Sequence, residues 1–295
     1  MKKILVLTIA IVLITSLGCG MHNREQETGH EDYNANLFNK VEIETDNGEI
    51  VAIATSDTTD TMIDVTLVRW ATGWTDMAAR DHMQEIDVHV SQDTADSVLR
   101  IYVEIPTNIS YSAGCDVELR LPESLYVDLV TSNGQIDVDG HQAGMYLRTS
   151  NGKVEASNTS GNAEITTSNG EIELNNTLGD FDLNTSNGKI TVYNHVGNID
   201  AETSNGEVNA DVVMPVEAGI CRFESSNGRM TVSVPDSVYA SIHLKTSNGD
   251  VDINGLNVDI DQMEDDEFKG SMGEGENMGE IYLKSSNGDV TLNSL

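Results

Sequence analysis

The chain has 295 residues and sets 16 Lys and Arg against 49 Asp and Glu, a net charge of −33. A surface of that sign repels nucleic acid and anionic headgroups, so neither is a partner read directly by the chain. The histidines are scattered, and the sequence has no H-E-x-x-H, G-x-S-x-G or Walker pattern on which a catalytic site of those kinds could be built.

The amino terminus reads as a secretory signal over residues 1–18. Lys2 and Lys3 precede an apolar run from Ile4 to Ile14, and small residues follow before Cys19. The run is short for a membrane span. Ser16-Leu17-Gly18-Cys19 resembles a bacterial lipobox, although Ser16 stands where Leu is commonest. That resemblance implies Cys19 as the lipidated first residue of the mature chain and as its attachment to a membrane. Gly20 in place of Asp resembles the rule that sorts lipoproteins to the outer membrane in cells with two membranes. Residues 19–37 are polar, hold too few apolar side chains for a core and are expected to be a flexible tether. His22 and His30 within it lack the spacing of a metal site.

From residue 38 a different grammar begins. Val41 and Ile43, then Asp46-Asn47-Gly48, then Ile50 and Ala52 place two alternating apolar pairs on either side of an Asn-Gly. Thr61 to Trp70 alternates like a strand and breaks at Ala71-Thr72-Gly73. Thr75 followed by Asp76 is a helix start signal, so a short helix is expected over 75–85. Ile86 to Val90, Val98 to Val103 and Cys115 to Leu121 alternate again. Residues 38–126 therefore read as the first part of a repeat array with a helix inserted across one end, hiding its terminal coil.

Residues 127–295 repeat the pattern with Thr-Ser-Asn-Gly or Ser-Ser-Asn-Gly. The Asn stand at Asn133, Asn151, Asn169, Asn187, Asn205, Asn227, Asn248 and Asn287, which with Asn47 makes nine copies. Several steps are 18 residues long, the period of a solenoid. Apolar columns lie six and four residues before each Asn and three and five after it, for example Phe181, Leu183, Ile190 and Val192 around Asn187. Each pair alternates as a half-buried strand. The odd step of seven between the pairs demands a corner at Ser-Asn-Gly, where the tolerance of Asn and Gly for positive φ is the expected reason for their use. A second corner is expected at Gly161, Gly179 and Gly197. The fold class is all-β, a single-stranded β-solenoid of about 18 residues per coil with two strands and two turns. Stacked coils place Asn over Asn and Thr over Thr, so the nine Asn are assigned a structural role.

Leu121-Pro122 running into these repeats, after the A-T-G break, the short helix and the paired strands, resembles a bacterial beta-strand-repeat family of unknown function labelled as adhesins. The resemblance covers residues 38–295 and implies a β-solenoid in a secreted or surface protein, with no catalytic residue to carry over.

Met214-Pro215 and Val234-Pro235 mark further strand ends. Residues 254–279 carry Asp259, Asp261, Glu264, Asp265, Asp266 and Glu267 and are expected to loop out of the stack, because such charge resists burial. Cys115 and Cys221 occupy inward positions several coils apart. At about 4.8 Å per coil they lie beyond the roughly 7 Å Cα separation a disulfide tolerates, so two buried free thiols are expected. Outward Asp137, Asp139, Asp250 and Asp252 are the candidates for calcium, but the GGxGxD nonapeptide is absent and no cofactor is expected.

The function these features imply is a lipid-anchored, non-enzymatic scaffold of the bacterial envelope that offers polar faces to an envelope protein or a glycan. A polysaccharide-active β-helix enzyme and a self-associating structural element are the alternatives. Against the enzyme, bases are few and unclustered along the chain, whereas sites for acidic polysaccharides gather Arg and Lys.

Overall fold

The computed structural model describes residues 23–56, 61–107, 109–215, 218–273, 275 and 278–295. The expected signal, Cys19 and His22 lie outside them. The chain divides into two compact units, Met1–His141 and Gln142–Leu295.

The first unit contains β1 (Asn23–Asn34), β2 (Lys40–Thr45), β3 (Ile50–Thr55), β4 (Met62–Gly73), α1 (Asp76–Met83), β5 (Asp87–Asp93), β6 (Val98–Glu104), β7 (Ala113–Pro122), β8 (Tyr126–Thr131) and β9 (Ile136–Asp139). A coil consists of two consecutive strands, one in each of two sheets. The pairs β2/β3 and β8/β9 flank the Asn47 and Asn133 corners, and β6/β7 forms a third coil. The first chain copy, β2/β3, does not lie outermost. It sits between β6/β7 and β8/β9, with parallel pairing on both sides. Antiparallel strands then cover the outer coil: β5 on β6, β4 on β7, and β1 on β4.

That last pairing corrects the expected tether. Twelve residues, Asn23–Asn34, run antiparallel to β4 from Asn23↔Gly73 to Asn34↔Met62. The strand lacks an apolar alternation because it is an edge, held by its backbone and by pairs such as Arg69–Glu27 at 2.8 Å and Arg80–Glu25 at 3.4 Å. The helix is capped by Thr75 Oγ1, which accepts from Ala78 N at 3.1 Å, and it buries Ala79 and Met83.

The second unit contains five consecutive coils: β10 (Met145–Arg148) with β11 (Val154–Ser157), β12 (Ala163–Thr167) with β13 (Ile172–Leu178), β14 (Phe181–Thr185) with β15 (Ile190–Val196), β16 (Ile199–Thr203) with β17 (Val208–Val213), and β18 (Ile220–Asn227) with β19 (Met230–Val234). After them come β20 (Ala240–Lys245), β21 (Val251–Asn254), β22 (Asp259–Met263), β23 (Glu267–Met272), β24 (Gly279–Asn287) and β25 (Val290–Ser294). Neighbouring coils pair in parallel with like residues over like, as in Ile172↔Ile190 and Phe181↔Ile199. The apolar columns are buried, Leu147, Ile165, Leu183 and Phe223 each at 0 % exposure, except at Ile253 in the outer coil, which is half-buried.

Two expectations fail at the end of this unit. The coils do not stack in sequence order, because β24/β25 pairs with β18/β19 on one side and β20/β21 on the other. The Asn287 copy thus lies between the Asn227 and Asn248 copies. The acidic segment does not loop out either: β22 and β23 form a hairpin whose β23 runs antiparallel to β20. Its acids stay outside while Phe268 and Met272, each at 1 % exposure, cover the last coil, so charge and burial are separated by strand alternation. Cys115 and Cys221 are free and buried, and burial pushes both thiols up to about 12.

Candidate functional site

The corner residues are spent on one another. Thr185 Oγ1 accepts from its own Gly188 N at 3.1 Å and donates to the Gly170 carbonyl of the next coil at 3.0 Å. Thr131, Thr167, Thr203, Ser225, Thr246 and Ser285 make the same donation, and all are buried. In the first unit Asn133 donates to Asn47 at 2.6 Å. In the second, along the series Asn151, Asn169, Asn187, Asn205, Asn227, Asn287 and Asn248, each side-chain amide from Asn169 onward donates to the Asn before it at 2.8 to 2.9 Å. The ladder follows spatial order, not chain order.

The reason for Gly is different from the expected one. The corner glycines from Gly48 to Gly249 have no positive φ; of this set only Gly288 does, at 145°. They are required because backbones touch: a Cβ on Gly170 would lie 1.6 Å from the Gly152 carbonyl oxygen, and one on Gly188 1.6 Å from that of Gly170. Positive φ belongs to the second corner, at Gly161, Gly179 and Gly197 and also at Asn158, Asn176 and Asn194 with φ of 54° to 55°. Asn194 donates to Asn176 at 3.1 Å and Asn176 to Asn158 at 3.2 Å, a second amide ladder that the sequence reading missed.

A cavity opens where the repeat is broken. In the outer coil of the first unit, residues 105–107 and 109–112 stand where the Ser-Asn-Gly corner would be, and between them and the Asn47 and Asn133 corners lies an open cleft of about 750 Å³. Trp70 forms its wall. Its ring lies across Gly114, its register partner, where a Cβ would come within 2.5 Å of the indole. Trp70 Nε1 donates to Asp116 Oδ1 at 3.3 Å, and Glu49 N donates to the same oxygen at 3.1 Å. The Arg24 guanidinium stacks 4.3 Å above the indole and 4.0 Å from the Asp116 carboxylate. Burial, with repulsion from Asp137 and Asp116, raises the Glu49 pKa above its usual value.

The wall is held from behind. Tyr111 stacks on His82 of α1 at 3.6 Å and donates to Glu85 at 2.8 Å, while Thr72 and Ser112 exchange backbone and hydroxyl hydrogen bonds. The result is a preorganised concave site with an aromatic wall, one guanidinium and the carboxylates Asp46, Glu49 and Asp116, suited to a ligand rich in hydroxyl or amino groups. None of these cavity residues was predicted apart from the Asn47 and Asn133 corners; Trp70 is in the sequence as a strand residue, and its partners come from three separate segments.

Of the other expected residues, His30 bonds Thr66 Oγ1 at 3.0 Å. Asp137 accepts from Gln135. Among the described residues no group of three or more His, Cys, Asp and Glu side chains is arranged to hold a metal ion.

Solved structures with likeness to the chain include a proposed adhesin from Bacteroides fragilis (12 % identity, 91 % of this chain and 97 % of that one, TM-score 0.45). A proposed lipid-binding protein from Parabacteroides distasonis is 12 % identical over 91 % of this chain and 96 % of its own, with a TM-score of 0.38. A proposed cell adhesion protein from Clostridium sporogenes is 12 % identical over 92 % and 100 %, with a TM-score of 0.28. No curated protein matches. The family model that does match spans residues 38–293, from the first Asn-Gly coil to the last strand, and the chain belongs to the Toastrack DUF4097 family, whose function is unknown.

Proposed function

We propose that the chain is a non-catalytic binding scaffold of the bacterial cell envelope, lipid-anchored through Cys19 and adhesin-like in role, which holds a protein or glycan partner. The observation that carries this reading is the Trp70–Arg24–Asp116 cleft: an aromatic wall with fixed polar groups, assembled only where the repeat gives way to another connection. Elsewhere the corner hydroxyls and amides are consumed by the stack. The signal-like start and Cys19 supply the address.

The test uses the full chain in its envelope. Membrane-fractionated protein should carry a lipid on Cys19, and Cys19→Ser should move it to the soluble fraction. Cross-linked capture from whole envelope should recover a partner that is lost on Trp70→Ala and on Asp116→Asn. Recovery of the same partner by both variants would remove the cleft from the function, and hydrolysis of envelope glycan by the purified chain would overturn the non-catalytic reading.

A further inference from the structure

The four strands β18, β24, β20 and β23 lie side by side, and two of their outward rows carry the basic side chains, next to a row of Ile220, Glu280, Ser241 and Ser271. One row reads Arg222, Tyr282, His243, Lys269, and the other Glu224, Lys284, Lys245, Glu267. Bases looked unclustered along the chain, and this face corrects that. Residues 222, 243, 245, 269 and 284 meet because β24 is inserted between β18 and β20 and because the acidic hairpin folds back on β20.

The two carboxylates lie low in the patch and the cations stand above them. Glu267, 15 % exposed, meets His243 at 2.9 Å, Lys269 at 3.0 Å and Lys245 at 3.4 Å. Glu224, 21 % exposed, meets Lys284 at 2.9 Å and also Arg222. The four permanent cations are 36 to 45 % exposed. An ammonium has three donors and each Lys here meets a single carboxylate oxygen, so donors remain for a ligand. Hydrogen bonds from Lys269 and His243 hold the Glu267 carboxyl down to about 2, so it stays ionised as a support. Asp200, 3.7 Å from Arg222, marks the rim. Arg222 lies 4.8 Å over the Tyr282 ring and His243 packs on its edge at 5.3 Å, which fixes the centre. Beside Lys284 a cleft of about 200 Å³ is lined by Ser204, Ser226, Ser286, Asn184 and Glu202.

We propose that this face binds an acidic polysaccharide, whose carboxylate or sulfate groups meet Lys245, Lys269, Lys284 and Arg222 while its hydroxyls enter the serine-lined cleft. Flatness disfavours a lone phosphate, which a site encloses. These eight residues hold the rings of Tyr282 and His243, packed on each other, and no aliphatic side chain, and the neighbouring row adds Ile220 as its one apolar residue, a composition that disfavours a protein interface with a desolvated centre. An anionic bilayer is opposed by the charge of the whole chain, because an extended membrane meets much more than one patch. A linear glycan meets only the patch, since charges beyond a Debye length of about 8 Å are screened at physiological salt. The proposal rests on the scaffold reading only for where such a glycan is encountered; the residues are separate from the Trp70 cleft.

The experiment titrates the purified full chain with oligogalacturonate and with a sulfated heparin oligosaccharide, using dextran, polyglutamate and phosphatidylglycerol vesicles for comparison. The expected result is salt-sensitive binding of an acidic oligosaccharide, weakened by about tenfold or more in Lys245→Gln/Lys269→Gln/Lys284→Gln. The corresponding triple Arg variant should keep affinity within about threefold, because charge is retained. On the unmodified protein, the bound oligosaccharide should protect Lys245, Lys269 and Lys284 from acetylation but not Lys153 and Lys189, a readout that survives if the triple variant fails to fold. The proposal is overturned by dextran binding equally well, by tighter binding of polyglutamate or vesicles, by unchanged affinity in the Gln variant, or by no binding at low salt. Loss of envelope capture on Trp70→Ala with no acidic-glycan binding would sink this inference and leave the scaffold reading intact.

Discussion

In the first unit the outer coil β6/β7 is covered by β1, β4 and β5; in the second the outer coil β20/β21 is covered on one of its sheets by β23 and β22. Both units also slot the chain-terminal coil one place inward, β2/β3 in one and β24/β25 in the other. The same manoeuvre has different products. Covering the first unit goes with another connection in place of an Asn-Gly corner and opens the Trp70 cleft. Covering the second keeps the corners and gathers five basic side chains on a flat face. A repeat which spends its polar side chains on itself thus acquires binding chemistry where it is interrupted.

The largest effect is expected where both units share a close backbone approach. Gly170→Ala places a Cβ 1.6 Å from the Gly152 carbonyl oxygen, and Gly134→Ala does the same against Gly48. Each is expected to cost about 3 to 5 kcal/mol, since backbone on both sides must move. Urea midpoints give the size, and amide exchange shows where it falls. Loss of protection confined to the mutated unit would show that each unit opens by itself; uniform loss would show that they open together. Next in size is the cover itself. Phe268→Ala removes the buried ring that seats the hairpin on the last coil, an expected loss of about 3 to 5 kcal/mol. It should free the β20 edge and yield concentration-dependent association by light scattering. A monomer at high concentration would mean that the hairpin is not a guard.

Much of this was readable in the residues. The four apolar columns, the inward Thr and the stacked Asn follow from an 18-residue period and strand alternation. Coil order did not follow, because the corners are chemically alike: Asn287 donates to Asn227 the same ladder bond that Asn248 would donate if the coils stacked in chain order. The choice is set by the linkers and by a hairpin whose acids outnumber its apolar residues. β1 escaped notice because an edge strand needs backbone partners more than apolar ones. Arg24, Trp70 and Asp116, like Lys245, Lys269 and Lys284, carry no local signal, since only the pairing of distant strands brings them together. The Asn158, Asn176 and Asn194 ladder was visible as an Asn three residues before each second-corner Gly.

A smaller effect separates the units at one column. Thr185 accepts from Gly188 and donates to Gly170, whereas the Thr45 hydroxyl is buried without a partner because the coil beyond it has no Asn-Gly corner. Thr185→Val should therefore cost about 1 to 3 kcal/mol, while Thr45→Val should be neutral or stabilising. Thr185→Ser should stay within about 0.5 kcal/mol, since Ser225 and Ser285 do the same work. Equal losses at 45 and 185 by urea unfolding would remove the distinction between a repeated corner and an interrupted one.

The smallest expected effect concerns the two buried histidines. His141 in the first unit and His195 in the second are both fully buried, and burial lowers both pKa values from 6.5. His195 Nε2 donates to the Asn198 carbonyl at 3.1 Å and its Nδ1 accepts from Thr177 Oγ1 at 2.9 Å, an assignment that suits the neutral ring. His141 has the carbonyl of Leu125 on Nε2 but no partner on Nδ1. Because the folded pKa lies below the unfolded one, the unfolded chain binds more protons as pH falls below about 6.5, and stability drops through that window. Protonation of crowded carboxylates such as Asp200, whose pKa burial raises, acts with the opposite sign. Only a difference between variants isolates the histidine. His195→Thr, which extends the Thr159 and Thr177 column, should flatten the urea midpoint between pH 7 and 5 relative to the unaltered chain, and His141→Thr should do so independently in the first unit. An unchanged slope in both would show that the rings take up protons alike in the folded and unfolded chains, and that burial at the second corner is shallower than the structure places it.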